Sequence, residues 1–330
     1  LFGRSAVMCG GSGNTGTLGR TMMRKWVIHA LQLTLAVALL VVVWRLADGG
    51  QALRLLSEAN LVWLLAAALV LTLQIVLSAR RWQLTASQLG ITLSAGTVVR
   101  EYYLSQLVNQ VLPGGVLGDA RRAVRARRQA GLVTSSYTVI LERLAGQAGL
   151  LVLLAATFVI TSVAPGGFDW PSWLAVPVVV LLVAVAAVPP AVILGAEKLA
   201  GRMGQMATEL AENVRRALLA PAVRWRQLAL SLATAAANVI GFALCALAIG
   251  APLSPTAAAA IIPLILFTML LPVTVSGWGL REGAAAALFP LAGLTAAEGL
   301  AASVAFGLVL LVIALPGIAF LRTPRAVMAP

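Results

Sequence analysis

Long apolar runs separated by short polar stretches dominate the hydrophobic pattern of the chain. Six runs are long enough to cross a bilayer as helices: residues 26–44, 59–79, 133–161, 173–194, 226–249 and 295–320. Two more runs, at about 96–112 and 256–271, are too short or too polar to cross alone. The pattern predicts an all-α, polytopic integral membrane protein with about six full transmembrane helices and two broken or re-entrant segments, eight hydrophobic segments in total.

The two short runs end in similar sequences. Leu112-Pro113 closes the first and Leu271-Pro272 closes the second, and in each case a glycine stands five residues after the proline. Proline removes a backbone donor and glycine permits a turn, so both runs should end as half-helices with free backbone N–H and C=O groups. At membrane depth such groups are tolerated only where they are buried in protein or line a polar cavity. Paired interruptions of this kind point to the binding site of a transporter.

Composition and charge agree with a membrane protein. Hydrophobic residues make up 60% of the 330 residues, charged residues only 11%, and the mean hydropathy is +0.96. The net charge of +13 does not indicate nucleic acid as a partner, because the basic residues lie between the hydrophobic runs. The positive-inside rule places most of them on the cytoplasmic side, with only Arg45 and Arg54 outside. We therefore expect a multi-pass protein of the cytoplasmic (inner) membrane with cytoplasmic N- and C-termini.

This topology predicts an inverted repeat. Starting from the cytoplasmic side, residues 24–161 contain two spans, then a broken segment, then a third span. Residues 173–322 contain the same elements in the same order, but start from the outside. The first broken segment then enters from the cytoplasm and the second from outside, so their tips should approach each other near the midplane.

The remaining regions are a tail and a linker. Residues 1–22 read as a flexible Gly/Ser-rich tail, and their GxGxxG pattern at 11–16 does not indicate a nucleotide site because a membrane span follows it. Residues 23–325 form one transmembrane domain. Within it, polar and apolar residues alternate at helical spacing over 195–225, which predicts an amphipathic cytoplasmic helix joining the two halves.

Three adjacent Arg/Glu pairs stand in apolar surroundings: Arg100-Glu101, Glu142-Arg143 and Arg281-Glu282. A charge at the centre of a membrane helix costs on the order of 2.5–3.5 kcal/mol on insertion scales, so such residues indicate an interior polar site. Glu142 and Arg143 are also compatible with a structural role, either at the interface or as a lock between helices. Arg281-Glu282 favours a functional role because it directly follows the second break.

Polar residues beside the breaks leave two interpretations open. Asp119 can cap a helix at its N-terminus, and the basic run from Arg121 to Arg128 can lie among anionic lipid headgroups or act as an ordinary topological anchor. Within that run Arg121 is the better candidate for a binding residue because it lies near the break. Asn109, Gln110, Thr274 and Ser276 either line a headgroup pocket or satisfy the broken helix ends.

Together these motifs resemble the flippase-like transmembrane region of the lysylphosphatidylglycerol synthase family, over nearly all of residues 24–322. The resemblance is carried by Arg80-Arg81-Trp82, Leu89-Gly90, Leu93-Ser94, the stretch from Asn109 to Arg121, Glu142-Arg143-Leu144 and Gly277-Trp278-Gly279-Leu280-Arg281-Glu282-Gly283. It implies a bacterial or archaeal protein associated with the movement or handling of membrane lipids. It does not imply aminoacyl transfer, because the soluble synthase domain of bifunctional members is not seen in this sequence.

The predicted function is a membrane lipid translocase that moves a phospholipid or other anionic lipid headgroup. The candidate binding residues are Asn109, Pro113, Gly114, Gly115, Asp119, Arg121, Glu142, Arg143, Ser276, Gly277, Gly279, Arg281 and Glu282. Arg281 or Arg143 would receive the phosphate, while Glu142 and Glu282 would hold the arginines or contact an amine. Two other functions stay open: a membrane-embedded transferase acting on lipid-linked substrates, and an accessory protein of a lipid-synthesis enzyme.

No enzymatic activity, cofactor or metal site is expected. The sequence offers no clear catalytic constellation, and its two cysteines lack the spacing of a zinc site or a disulfide. The expected partners are membrane lipids, with a lipid-synthesis enzyme or a second copy of the chain as further possibilities.

Overall fold

The computed structural model describes residues 15–111, 117–196, 201–270 and 277–320, and every regular element in these residues is helical. The α-helices are α1 (Thr15–Leu46), α2 (Gly49–Ser57), α3 (Leu61–Gln88), α4 (Ala95–Val111), α5 (Leu117–Val163), α6 (Ser172–Ala196), α7 (Gly201–Val214), α8 (Arg224–Ala248), α9 (Pro255–Phe267), α10 (Leu280–Leu288) and α11 (Ala296–Ala314). A π-helical turn, Arg215–Leu219, continues α7, and short 3₁₀ turns continue α9, α10 and α11.

The prediction of an all-α membrane protein is confirmed, but the count of six full spans is not. In the part of the chain that the structure describes, four helices are long and apolar enough to cross a membrane: Leu61–Gln88, Leu117–Val163, Arg224–Ala248 and Ala296–Ile318. A fifth results if Leu31–Leu46 and Gly49–Ser57, which meet at 91°, form one bent span. The segment Ser172–Ala187 belongs to the shorter apolar helices of 10–17 residues, as does Pro255–Leu270.

Several helix bounds follow from local sequence. Asn60 caps α3 by accepting a hydrogen bond from the amide of Val62, and Ser254 caps α9 in the same way from Ala257. α11 begins with a capping box in which the Thr295 hydroxyl and the Glu298 carboxylate satisfy each other's amides. These capped starts fix where the apolar helices enter the bundle.

Two regions differ in detail from the prediction. α1 begins at Thr15, inside the stretch predicted to be a flexible tail. The amphipathic helix predicted at 195–225 extends from Gly201 through the π-helical turn that ends at Leu219, and α8 begins at Arg224. An ion pair between Glu212 and Arg216 stabilises its exposed face.

The core lies where α3, α8, α9 and α11 pack against one another. Its aromatic centre is formed by Phe242, which contacts the rings of Phe289 and Phe306 at centroid distances of 6.3 and 5.2 Å. Close approach depends on glycine at one crossing in particular. A Cβ on Gly149 of α5 would lie 2.7 Å from the carbonyl oxygen of Ser231 on α8. Because these helices touch backbone to backbone, the polar residues that flank this crossing are held in fixed positions.

Helix α5 is interrupted by non-helical residues at Ala130 and Gly131. Gly131 has a φ of +78°, a conformation that glycine adopts without strain. The first part of α5 carries Asp119 and the basic run, and the second part carries Glu142 and Arg143. The break therefore changes the direction of the helix between these two groups of charged residues.

Candidate functional site

A polar cavity of about 320 Å³ lies among α3, α4, α5, α8 and the ends of α9 and α11. Its lining combines ions, carboxamides and apolar residues: Gln74, Arg81, Tyr102, Ser105, Gln106, Asn109, Gln110, Asp119, Arg122, Glu142, Arg143, Gly146, Gln147, Leu150, Thr234, Ala235, Asn238, Leu266, Met269, Leu270, Gly277, Phe306 and Leu310. The residues flanking both interrupted segments are therefore present in one cavity: Asn109 and Asp119 beside the first, Met269 and Gly277 beside the second.

Asp119 is the hub of the ionic network beside the first interruption. Its Oδ1 accepts hydrogen bonds from Ser105 Oγ at 2.9 Å and from Arg122 Nη2 at 2.6 Å. Its Oδ2 accepts one from Asn109 Nδ2 at 3.2 Å and forms an ion pair with Arg143 Nη1 at 2.8 Å. Asp119 lies in the first turn of α5, where the helix dipole also favours a carboxylate. Its side chain thus joins α4 to both parts of α5 rather than capping the helix.

The side chain of Asn109 forms hydrogen bonds with the start of α5. Its Oδ1 accepts the backbone N–H of Gly118 at 2.8 Å while its Nδ2 donates to Asp119. Gly118 approaches α4 so closely that a Cβ there would lie 2.2 Å from the carbonyl oxygen of Ser105. Of the two interpretations left open for Asn109, satisfaction of the broken helix end accounts for these contacts.

Glu142 joins three helices. Its Oε1 accepts hydrogen bonds from Arg81 Nη2 on α3 at 2.7 Å and from the Tyr102 hydroxyl on α4 at 3.2 Å. Its Oε2 accepts one from Arg122 Nη2 at 3.2 Å. Arg81 also donates to Thr234 Oγ1 of α8 at 2.8 Å, which brings the second half of the chain into the network. With the side chains of Glu142, Arg81 and Arg122 no more than 5% exposed, these are buried ion pairs.

Arg122 is sandwiched between aromatic rings. Its guanidinium carbon lies 4.7 Å from the centroid of Trp82 and 4.5 Å from that of Tyr102, a cation–π arrangement. Its Nε and Nη1 groups have no hydrogen-bond partner among the described residues, although both are buried. Buried guanidinium donors of this kind are costly unless a ligand or water satisfies them. Arg122 therefore has two N–H groups at the cavity wall, Nε and Nη1, that could donate hydrogen bonds to a ligand or water.

Arg281 and Glu282 form a second, closed cluster behind the second interruption. Arg281 Nη2 donates to Glu282 Oε1 at 2.6 Å and to the carbonyl oxygen of Ser303 at 3.1 Å, and its Nε donates to Ser303 Oγ at 2.9 Å. Glu282 Oε2 accepts the backbone N–H of Gly279 at 2.7 Å. Arg281 is 1% exposed and does not line the cavity, although its Nη1 lies 4.0 Å from the cavity residue Met269. The pair consequently fixes the backbone that follows the second interruption.

The predicted site residues divide into three groups. Those that line the cavity are Asn109, Asp119, Glu142, Arg143 and Gly277. Those that lie in the described chain without lining it are Arg121, Gly279, Arg281 and Glu282. Those that fall outside the described residues are Pro113, Gly114, Gly115 and Ser276.

Charge pairing differs from the adjacency in the sequence. Glu142 and Arg143 do not pair with each other, because Glu142 binds Arg81 and Arg122 while Arg143 binds Asp119. Neighbouring residues on a helix point about 100° apart, which directs the two side chains to different partners.

Arg122, rather than the favoured Arg121, carries the ion pair with Asp119. The spacing of three residues between Asp119 and Arg122 was the available signal, since such residues share a helix face. Arg100-Glu101 lies off the cavity, where Glu101 Oε1 is 3.5 Å from Arg100 and 3.1 Å from Arg125.

Comparison with known protein families identifies one family for this chain. The family model described as "Lysylphosphatidylglycerol synthase TM region" matches residues 30–317. The match spans both interrupted segments and every residue of the cavity. A search of curated proteins found no match for the chain.

Proposed function

The chain belongs to the lysylphosphatidylglycerol synthase transmembrane family, and from that premise we propose that it is a lipid translocase that moves an anionic lipid headgroup through the cavity. Membership makes it a membrane protein linked to lipid modification. Translocation is the further step, and the observation that carries it is a cavity of about 320 Å³ lined by ions and carboxamides among helices whose outer faces are apolar. A headgroup crossing a membrane needs such a polar path, while its acyl chains remain in the bilayer.

The packing supports the proposed inverted repeat. In the first half α4 is followed by residues 112–116, the first part of α5, Gly131 with a φ of +78° and the second part of α5. In the second half α9 is followed by residues 271–276, α10, Gly293 with a φ of +76° and α11. Contacts also recur in corresponding pairs, since α5 packs on α8 as α11 packs on α3, and α5 packs on α9 as α11 packs on α4. A rocking motion between such halves would change which side the cavity faces.

Arg143 is the proposed receiver of the headgroup phosphate. Its side chain is 40% exposed and lines the cavity, whereas Arg81 and Arg122 are buried in ion pairs. Asp119, its partner, is held independently by Arg122 at 2.6 Å. If a phosphate draws Arg143 away from Asp119, the carboxylate of Asp119 therefore still has Arg122 as its positively charged partner. The buried position of Arg281 assigns it to support of the second interruption instead.

The proposed setting is the cytoplasmic membrane, with both termini on the cytoplasmic side. The charge distribution along the sequence supports this orientation, because the basic stretches 121–128 and 215–226 alternate with apolar segments in the order that the positive-inside rule requires. Orientation matters for the mechanism because it decides from which leaflet the first interrupted segment is reached.

The test is headgroup transport in vesicles reconstituted with the purified full chain. Dithionite quenching of a fluorescent phospholipid reports transfer between leaflets. Arg143→Gln removes one charge-assisted contact of about 1.5–3 kcal/mol and should slow transfer about 10- to 100-fold. Arg215→Gln, which alters an exposed arginine of the amphipathic segment, serves as the matched control and should transfer at the wild-type rate.

Unchanged transfer by Arg143→Gln, in protein that elutes and unfolds like the wild type, would remove Arg143 from the mechanism. Absence of transfer by the wild-type chain would contradict translocation itself. Mass spectrometry of the same vesicles tests the transferase alternative. A transferase would convert an added lipid and donor into a lipid of new mass, whereas a translocase would leave the lipid masses unchanged.

A further inference from the structure

A second depression lies between α3 and α8, apart from the polar cavity. It is an open groove of about 640 Å³, and it shares no lining residue with the cavity. A stripe on each helix forms its walls, with Arg80, Leu84 and Ser87 on α3 and Arg226 and Leu230 on α8. These residues recur at three- or four-residue spacing, so one face of each helix borders the groove.

The groove carries two positive charges without a negative one. Arg80 and Arg226 are exposed, and no acidic residue occurs among the described residues that line the groove. Within the described chain Arg226 forms no hydrogen bond or ion pair, and Arg80 donates only to the uncharged Gln83 Oε1 at 3.0 Å. In the polar cavity, by contrast, each of the three arginines has a carboxylate partner. The groove therefore attracts an anion from outside the chain.

The position of Arg80 along α3 matches the edge of the hydrocarbon layer of a bilayer. α3 begins at Leu61, and the residues from Leu61 to Ala79 include no charged side chain. At 1.5 Å per residue this stretch is about 29 Å long, close to the hydrocarbon thickness of roughly 30 Å. The hydrogen bond to Gln83 directs the guanidinium of Arg80 towards the end of α3, where the lipid headgroups lie.

Arg226 lies slightly further out, on the neighbouring helix. α3 and α8 run antiparallel, and Gln227 Nε2 of α8 donates to Thr85 Oγ1 of α3 at 3.0 Å. Arg226 precedes Gln227 by one residue, which places it about 9 Å beyond Arg80 along the axis of α3. The exposed Trp225 beside it belongs to a residue type that concentrates at membrane interfaces. Both guanidinium groups therefore face the headgroup layer.

The wall of the groove between the two arginines is apolar. Leu84 and Leu230 line it from the two helices, and both are half-buried. A free phosphate ion would contact the arginines but leave this apolar surface in water, whereas a phospholipid would also cover it with its glycerol backbone and first methylene groups. We propose that the groove binds an anionic phospholipid of the surrounding bilayer, with the lipid phosphate between Arg80 and Arg226. The lipid is a stationary ligand, and its binding does not depend on the proposed translocation.

Native mass spectrometry of the delipidated full chain in detergent tests the proposal. The probes are phosphatidylglycerol and phosphatidylcholine with the same acyl chains. Arg80→Gln and Arg226→Gln should each weaken phosphatidylglycerol binding at one site about fivefold, and the double variant about 30-fold, while phosphatidylcholine binding changes little. Arg127→Gln/Arg128→Gln is the matched control, because it removes the same charge from two exposed arginines outside the groove and should bind like the wild type.

Two further variants separate the groove from other effects. Ala229→Glu adds a carboxylate to the groove wall and should weaken phosphatidylglycerol binding as the double variant does, without removal of an arginine. Arg143→Gln, in the polar cavity, should leave the groove site intact, so failure of the proposed translocation is distinguishable from failure of this site. Equal affinity for the two lipids, unchanged affinity in the groove variants, an equal loss in the control pair, or displacement of the lipid by millimolar inorganic phosphate would overturn the proposal.

Discussion

Replacement of Glu142 by glutamine tests whether the buried ion pairs hold the cavity together. Glutamine keeps the shape of the side chain but removes the charge that faces Arg81 at 2.7 Å and Arg122 at 3.2 Å. The side chains of these residues are between 1% and 5% exposed, so little solvent is available to neutralise the arginines. Breaking a buried pair by removing one partner costs about 3–5 kcal/mol. Arg122 keeps Asp119 and Arg81 keeps Thr234, which places the expected loss at the lower end, about 3 kcal/mol.

A double-mutant cycle separates this interaction from other effects of the substitution. Arg81→Gln alone leaves Glu142 with Arg122 and should also destabilise the protein. The double variant Glu142→Gln/Arg81→Gln contains neither charge of the 2.7 Å pair, so its loss should fall short of the sum of the single losses by about 1–3 kcal/mol. Equilibrium unfolding in detergent micelles, followed by tryptophan fluorescence and circular dichroism, gives the free energies.

An exposed pair of the same chemistry provides the control. Glu212 and Arg216 form an ion pair on the amphipathic segment with side chains 57% and 64% exposed. Glu212→Gln should cost no more than about 0.5 kcal/mol because solvent screens the charges. If Glu142→Gln costs as little as Glu212→Gln, or if the two single losses in the cycle simply add, then the buried network does not stabilise the fold.

The remaining predictions concern a close backbone contact and a buried thiol. Gly118→Ala should lower the free energy of unfolding by about 1–3 kcal/mol in the same titration, because its Cβ would lie 2.2 Å from the carbonyl oxygen of Ser105. Gly96→Ala, with no atom within 4 Å of the added Cβ, should be neutral or slightly stabilising, and equal losses in both variants would contradict the packing. In a Cys9→Ser background, Cys245 is fully buried and should react with a maleimide only after unfolding, so rapid labelling of the folded protein would show an open core.

Hydropathy alone was sufficient for the fold class and for the positions of the long apolar helices, but not for the short helices α2 and α10. Where the structure describes them, the predicted apolar segments lie in helices, because a run of apolar residues in a membrane can satisfy its backbone only as a helix. The number of full spans is not confirmed, since length and hydropathy do not reveal that the chain bends by 91° between Leu46 and Gly49. That bend depends on Asp48, which has a φ of 50° and caps α2.

The site was only partly predictable because a sequence does not give the rotation of a helix about its axis. Arg80 and Arg81 are adjacent, and the positive-inside rule places both on the cytoplasmic side, yet Arg80 is exposed and Arg81 is buried against Glu142 and Thr234. Only the packing of α3 on α8 decides which of the two points inward. Helix geometry did contain one usable signal, namely the three-residue spacing of Asp119 and Arg122.

The two interruptions use their charges differently, and this asymmetry bears on the mechanism. Beside the first interruption the carboxylate of Asp119 is shared, so that Arg143 remains 40% exposed at the cavity. Beside the second interruption Glu282 is fully buried, and its carboxylate accepts hydrogen bonds from Arg281, from the Ser303 hydroxyl and from the amide of Gly279. Buried ion pairs contribute little net stability compared with apolar packing, so the closed pair is best explained by the backbone that it fixes. In the proposed translocation the headgroup would therefore be held by Arg143 in the first half, while the closed pair in the second half keeps the backbone after the second interruption in place.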